Sequence, residues 1–367
     1  MCWILATKNL HKKEGYESMT VLFNLESILT DSSDQMQRDL RFIYSLSLLP
    51  KPKIAFHGAD ADGIISAVIL KTVVEFQEAI FIPLEYQEIH HSQFGTFLRA
   101  LNWQAIVDLP PFNNSTINLY CDHHQSNKFL IKNAELVLFD ENAPSAAYLL
   151  SNHFKDQIPH FLKLLSDLTI ITDTASFTTS PPEEIPLNFC DTSRQEQAWL
   201  LNDICRTPES TEEVYSLFQA FSHQKLDIFS NEVYLQKISS LRSLRKKSTN
   251  IGDQFEIADV LVIIRGKEKI MTSALVNRLF EKGVKITCIL FPGKQFTGIS
   301  LRVNSQVSTA DLEKYRVDNL AINFSGGGHP RAAGGRGTTL KTTRKTIITW
   351  VQEHDLTYRE YDLRNQK

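Results

Sequence analysis

The sequence predicts an α/β protein of two domains, and three observations carry that expectation. Short apolar runs that end in polar loops alternate with helical patterns through residues 50–175, which is how a parallel sheet flanked by helices reads. A second set of β-rich runs, with one helical segment among them, follows residue 253 after a long helical stretch. The length of 367 residues, at about 100–200 residues per domain, sets the count at roughly two. With 42% hydrophobic and 22% charged residues, the proportions are ordinary globular ones, which excludes disordered, collagen-like and disulfide-scaffold classes.

Taken in order, residues 1–50 have weak patterning and stand as an unassigned N-terminal extension. The first domain is expected over 51–193. Its strands are Lys53–Phe56, Ile80–Leu84, Ala105–Val107, Ile117–Tyr120 and Leu136–Phe139, each a short apolar run ending in a polar loop. Gly63–Phe76 and Phe94–Leu101 read as helices between them, and Pro144–His153 and Pro159–Thr169 as helices after the last strand. Thr178, Thr179, Pro181, Pro182 and Pro186 make 174–195 a loop. A helical connector is expected over 194–253. Near its end come Lys237, Arg242, Arg245, Lys246 and Lys247, which suit a solvated last turn facing the helix dipole, then a polar, glycine-containing break at Ser248–Asp253. The second domain, 254–367, carries Val260–Arg265, Ile286–Phe291 and Gly298–Val303 as strands and Thr272–Lys282 as a helix.

Lys and Arg total 39 against 42 Asp and Glu, and the net charge of −3 gives no global attraction to a polyanion. Any contact with nucleic acid must be local. The five cysteines, Cys2, Cys121, Cys190, Cys205 and Cys288, include no two at metal-finger or redox spacing and fit a reduced, cytoplasmic setting. No apolar run approaches the roughly 18 residues that span a bilayer, so no membrane partner is expected.

Chemistry-bearing residues gather where the predicted strands end. His57-Gly58-Ala59-Asp60-Ala61-Asp62-Gly63 follows the first strand, Asp108 ends the third and Asp122-His123-His124 follows the fourth, while Asp173 closes the apolar stretch Leu168–Thr172. The C-terminal edge of such a sheet is where open α/β folds hold ligands. A helix cap or turn accounts for one acid in such a place. Four carboxylates, Asp60, Asp62, Asp108 and Asp173, brought with histidines to one edge repel one another unless positive charge sits among them. Two divalent cations balance that count. Carboxylate-rich ligation with a few imidazoles and no paired thiolates suits manganese or magnesium over structural zinc. Two such ions about 3.5–4 Å apart clamp a phosphoryl group, generate hydroxide and stabilise a leaving oxygen. His90-His91 lies in a polar loop and reads as exposed. Cys121 reads as a small strand residue, because this hydrolysis needs no protein nucleophile.

The motifs resemble the DHH phosphoesterase superfamily, named for the tripeptide present here as Asp122-His123-His124. His57, Asp60 and Asp62 resemble its first motif, Asp108 its second, Asp122-His123-His124 its third, and Asp173 within Thr172-Asp173-Thr174-Ala175-Ser176-Phe177 its fourth. Gly326-Gly327-Gly328-His329 resembles the glycine-rich signature of the domain associated with that catalytic half, so that the resemblance covers residues 53–340. It implies a parallel-sheet catalytic domain plus a smaller mixed-sheet α/β domain. It also implies that Asp60 and Asp62 each hold one metal, that Asp108 bridges both, and that His123 and Asp173 complete the shell. His57 stands three residues before Asp60 where the short-oligonucleotide branch commonly has four, which leaves it a ligand, a supporting donor or a strand-end histidine. Asp62-Gly63-Ile64-Ile65-Ser66-Ala67 looks more like the RecJ-type exonuclease branch. His124 is implied to face the phosphate or to orient Asp122.

Three consecutive glycines permit a close approach and let successive N–H groups converge on an anion, with His329, Arg331 and Arg336 beside them. The competing reading is a tight turn followed by close packing at Ala332 and Ala333. Arg302 is similar in placement to the family's substrate-binding arginine, whose fork would hold a second phosphate or a terminal carboxyl-like oxygen pair. The expected function is two-metal hydrolysis of short oligonucleotides or of a nucleotide phosphate such as pAp, in a cleft between the domains. Asp108, His123 and His124 would act at the reaction, with Arg302, Gly326, Gly327, Gly328, His329 and Arg331 on the substrate. The alternatives are a RecJ-like single-strand exonuclease, a polyphosphatase or pyrophosphatase, and a non-catalytic nucleic-acid-binding protein. The expected partner is a short single-stranded nucleic acid or nucleotide, with a homodimer allowed.

Overall fold

The apolar run at 53–57 forms the fully buried β1 of a five-stranded parallel sheet. The computed structural model describes residues 33–364, except 113–115, 180, 183, 184, 186–188, 294 and 295. These residues divide into two units at Ser239/Ser240.

In the first unit the sheet comprises β1 (Lys53–His57), β2 (Ile80–Leu84), β3 (Trp103–Val107), β4 (Ile117–Asp122) and β5 (Ala134–Phe139), in the order β2-β1-β3-β4-β5. Every expected strand forms, and β1 and β4 run on to take in His57 and Asp122. The order reverses beside β1, so the crevice between the C-terminal ends of β1 and β3 is the switch point at which such sheets hold ligands.

The helices of this unit are α1 (Asp34–Ser47), α2 (Ala61–Thr72), α3 (Tyr86–Ile89), α4 (Ser92–Arg99), α5 (Ala146–His153), α6 (His160–Asp173), α7 (Arg194–Cys205) and α8 (Thr211–Gln224). Apolar residues of α2, α5, α6, α7 and α8 pack on Ile54, Phe56, Ala105 and Val107. Those of α1 and α4 pack on Ala55, Ile82, Ile106 and Tyr120 from the other face. Both faces are covered over β1, β2 and β3 and most of β4, which explains why these strands are continuous apolar runs and not alternating ones; the edge strand β5 leaves Leu136 and Val137 exposed. Helix α2 is buried from Ala61 to Leu70 and accordingly apolar on every side.

Several elements differ from expectation for identifiable reasons. The weak patterning of residues 1–50 predicts no assignable element, yet α1 lies there, with Leu40 and Ile43 fully buried at helical spacing. The helix expected over 63–76 stops at Thr72 and gives way to a 3₁₀ turn at Val74–Phe76. Helix α6 runs four residues past Thr169, so Asp173 rides on the last turn of a helix and does not end a strand. The expected 194–253 connector is divided, because α7 and α8 bury Leu201, Ile204, Leu217 and Phe221 in the first core. Helix α9 (Glu232–Asp253) then continues unbroken through the expected break at 248–253. Gly252 sits inside it, where a Cβ would lie only 3.2 Å from Leu275 and 3.3 Å from Arg278, so this glycine serves close packing.

The second unit is a six-stranded mixed sheet, β11-β6-β7-β8-β10-β9, built from β6 (Val260–Ile264), β7 (Ile286–Pro292), β8 (Thr297–Val303), β9 (Gly327–His329), β10 (Ala332–Gly337) and β11 (Tyr358–Asp362). Its helices are α10 (Thr272–Glu281), α11 (Leu312–Tyr315), α12 (Val317–Ile322) and α13 (Leu340–Glu353). Helices α12 and α13 cover one face. On the other, α10 covers Leu261, Ile263 and Ile289, while Arg302 stays exposed and Gly298 and Ser300 half-buried along the same face of β8.

Candidate metal centre

The junction of β1 and α2 sets the first two carboxylates. Asp60 caps α2, its Oδ1 accepting from the Gly63 amide at 3.2 Å. Asp62 follows in the first turn. Gly63 allows this because a Cβ there would lie 2.1 Å from the His57 carbonyl oxygen, so no larger residue lets the helix start this close to the strand. Asp62 is buried, and its two oxygens accept from the amides of Ala146 (2.6 Å) and Ala147 (2.7 Å) at the start of α5.

Asp108 follows β3 with φ +55°, a left-handed conformation that Asp and Asn tolerate better than most residues. Its amide donates to the Cys121 carbonyl at 2.9 Å, and its carboxylate is 1% exposed. His57 Nδ1 lies 3.2 Å from Asp60 Oδ2 and 3.4 Å from Asp108 Oδ2.

At the end of β4, Asp122 spends its lone pairs on its own loop. Oδ1 accepts from the amides of His123 (2.7 Å) and His124 (3.1 Å) and from His124 Nδ1 (2.9 Å). Oδ2 accepts from the Tyr120 hydroxyl (2.8 Å) and the Asn127 amide (2.6 Å). Burial would raise this carboxyl, yet the donors, His124 foremost, hold it below its ordinary value. Asp122 is thus a positioning residue. His123 Nδ1 is 3.1 Å from the Ala143 carbonyl, which can only accept, so Nδ1 carries the proton. The Nε2 lone pair is left pointing between Asp173 Oδ2 (3.3 Å) and Asp62 Oδ2 (3.6 Å). A metal-ligating histidine is commonly oriented in this way.

Ligand atoms fall into three groups, each within 4.8 Å: His57–Asp60–Asp108, Asp62–His123–Asp173, and Asp108–His123–His124. Asp108 belongs to two of them and His123 to two. His57 Nδ1, both Asp108 oxygens and His123 Nε2 are buried and make no hydrogen bond of acceptable geometry. Such orphaned atoms cost free energy unless something else occupies them. The electrostatics agree. Burial, then Asp108 and Asp173, push Asp62 well above the carboxylate range, and burial with Asp60 pushes Asp108 up to about 7. Burial opposes a charge on His57, but Asp108 and Asp60 overcome it and drive its pKa to about 11. A proton stands here where the donor set suits a cation, and carboxylates with imidazole suit a manganese- or magnesium-type ion.

No family model matches the sequence, and no curated protein matches it. Solved structures do. The chain is similar to a pGpG-specific phosphodiesterase, PggH from Vibrio cholerae, at 17% identity and TM-score 0.54, over 83% of this chain and 99% of that one. It is similar to exonuclease RecJ bound to manganese at 13% identity and TM-score 0.50, over 88% and 95%. RecJ from Thermus thermophilus in complex with Mg2+ follows at 11% identity and TM-score 0.50, over 91% of this chain and 55% of that one. The chain has the DHH phosphoesterase fold.

Within that fold the expected residues of the first unit come together. His57, whose spacing left its role open, sits between Asp60 and Asp108. The orientation between Asp122 and His124 runs from the acid to the histidine, whose pKa the Asp122 hydrogen bond lifts to about 9 against burial. Asp173 arrives from a helix end and not from the sheet edge. In the second unit of the DHH fold, the glycine signature is a strand and not a free loop. A Cβ on Gly326 would lie 1.9 Å from the Gly334 carbonyl oxygen, whereas Gly327 faces open space. Arg302 pairs in register with Ala332, which pairs in turn with His329. The surroundings of Gly328 and of the His329 side chain lie outside what is described. Arg331 donates to the carbonyls of Asn304 (3.0 Å) and Val307 (2.7 Å), fastening a turn. Arg336 lies 4.9 Å over the Phe296 ring. His91, expected merely exposed, caps α4 by accepting from the Phe94 amide.

Two neighbours of the centre escaped sequence reasoning. Burial would raise Asp60, but His57, the Gly63 amide and Arg206 hold it below its ordinary value, which brings the exposed Arg206 into electrostatic reach. Tyr86 stands against His57. Neither has a local sequence signal, since only the fold brings 86 and 206 to residue 57.

Proposed function

We propose that this chain is a phosphoesterase dependent on two divalent ions, manganese foremost and magnesium as substitute, that hydrolyses short oligonucleotides or nucleotide phosphates such as pAp. The observation that carries this reading is the pair of ligand groups His57–Asp60–Asp108 and Asp62–His123–Asp173, in which His57 Nδ1, both Asp108 oxygens and His123 Nε2 are buried without a hydrogen-bond partner. Ions bound there would supply Lewis acidity toward phosphoryl oxygens and lower the pKa of a water so that it attacks phosphorus. The chain's own groups prepare the rest. In the metal-free chain the Asp122 hydrogen bond raises the His124 pKa to about 9 against burial, which favours a positive charge beside Asp108 for a phosphoryl oxygen that gains charge. His123, locked by Ala143, offers one fixed lone pair. On the second unit taken by itself, Arg302 and the open backbone at Gly327 have the chemistry to bind a phosphate.

Short substrates are supported by the net charge of −3 and by the fold shared with a phosphodiesterase named for pGpG. A RecJ-like exonuclease is the second reading, supported by the fold shared with RecJ. A cytoplasmic setting belongs to the proposal and is supported by free Cys121, Cys205 and Cys288; no described helix is long and apolar enough to cross a membrane. The test is a panel of dinucleotides, longer single strands, pAp and polyphosphate with manganese. Preference for dinucleotides or pAp is expected, with loss of at least about 100-fold in Asp108→Asn. Preference for long strands selects the exonuclease reading, and a fully active Asp108→Asn overturns the assignment of the centre.

A further inference from the structure

Tyr86 stands beside the metal centre and has no part in the reaction described above. It opens α3 directly after β2, and its ring meets the His57 imidazole edge to face, with centroids 5.4 Å apart and planes at 66°. The residue is nevertheless 39% exposed. His90, one turn on and exposed, lies nearly parallel beside it, at 14° and 6.3 Å between centroids. The backbone beneath is fixed: Glu88 is 1% exposed, and its Oε2 accepts from the Glu85 amide at 2.6 Å, closing a capping box around residues 85–88. His57 in turn lies 3.2 Å from Asp60 and 3.4 Å from Asp108, so the ring borders the carboxylates of the centre.

These facts define a preorganised aromatic plane at the lip of an acidic site. Tyrosine has only two side-chain torsions, and one flank of this ring is already held by His57, so little entropy is left to lose on binding. The face of an aromatic ring is electron-rich and offers nothing to a phosphate, but it stacks on a base. A ring whose task ended at supporting His57 would gain from full burial. We infer that Tyr86, flanked by His90, is the stacking platform for the nucleobase attached to the phosphate under attack. The substrate class is therefore base-bearing phosphoesters and not inorganic polyphosphate. The inference rests on the phosphoesterase reading and narrows it.

The experiment measures binding of adenosine monophosphate and ribose 5-phosphate to the manganese-loaded full chain by calorimetry, beside manganese-dependent hydrolysis of a dinucleotide. Base stacking on an aromatic side chain is worth roughly 1–3 kcal/mol, so the wild type should bind adenosine monophosphate about tenfold tighter than ribose 5-phosphate. Tyr86→Ala should erase that preference, raise KM for the dinucleotide about tenfold and leave kcat within about twofold. Tyr86→Phe and Tyr86→Trp should keep it. Manganese content of each variant separates stacking from support of His57: a Tyr86→Ala protein that loses both ligands equally, or loses metal in proportion, overturns the platform. Equal binding of the two ligands by an actively hydrolysing wild type also overturns it. A base preference that Tyr86→Ala erases, in a chain that hydrolyses no phosphoester, sinks the phosphoesterase reading and keeps the platform.

Discussion

Replacing Asp108 by asparagine should make the metal-free protein more stable while removing its capacity to be stabilised by metal. The carboxylate is 1% exposed, neither oxygen makes an acceptable hydrogen bond, and burial with Asp60 raises its pKa from 3.8 to about 7. A carboxyl whose folded pKa exceeds its unfolded value supports folding fully below about pH 4, and that support is lost as pH rises through 7. At about 1.4 kcal/mol per pKa unit, the ionised form costs the metal-free fold about 4 kcal/mol at pH 8. Asparagine has nearly the same shape, accepts the φ of +55° and carries no charge. Part of the gain is returned, because His57 loses one of its two carboxylate neighbours. A net gain of about 2–4 kcal/mol corresponds to roughly 5–15 °C in melting temperature for a unit of this size. The assay is calorimetric melting of both proteins at pH 8 and pH 4, in chelator and then with manganese. The Asp108→Asn protein should melt higher in chelator at pH 8, converge with wild type at pH 4, and gain far less from manganese. Melting at or below the wild type in chelator at pH 8 would refute the claim that this charge is held against its own solvation.

Three further outcomes follow from the same geometry. His123→Ala removes the one fixed lone pair between Asp62 and Asp173 but leaves His57–Asp60–Asp108 intact, so dialysed protein should fall from two manganese ions per chain to one by elemental analysis; an unchanged content rejects the ligand assignment. Asp122→Asn should bring the His124 pKa down from about 9 toward 6.5, since the Asp122 hydrogen bond is the chief cause of the rise. The raised pKa stabilises the metal-free fold fully below pH 6.5 and is lost by about pH 9, so the gap between wild type and variant in urea unfolding should be widest below pH 6.5 and narrow above 9, and a gap that widens with pH contradicts this. Gly326→Ala should cost about 1–3 kcal/mol by overpacking against Gly334, whereas Gly327→Ala should leave the melting temperature unchanged; equal losses would show that the run acts only as packing.

Much of the first unit was legible because its signals are local. An apolar run buried on both faces reads as a strand wherever it occurs, and an acid at its end is visible as Asp108 or Asp122. What the sequence concealed depended on packing. Asp173 resembled a strand-end acid because Leu168–Thr172 is apolar, but those residues belong to a helix packed between α2 and α7, and a helix buried on several sides loses its amphipathic signature. Helix α1 was legible in principle through Leu40 and Ile43, one buried stripe on an otherwise polar helix. Strands β9 and β10 were masked by glycine, which has little β propensity of its own; at Gly334 the Ile299 carbonyl of the neighbouring strand leaves no room for a side chain. Tyr86 and Arg206 reach the centre through topology alone.

The contact between Gly63 and the His57 carbonyl has a consequence for how the centre tolerates change. Asp60 and Asp62 flank that contact, one belonging to each ligand group. A side chain at 63 would therefore not erode one half of the centre and spare the other; it would lever the whole turn away from the strand and detune both halves together. The alignment of the two halves is calibrated by a methyl group that is missing.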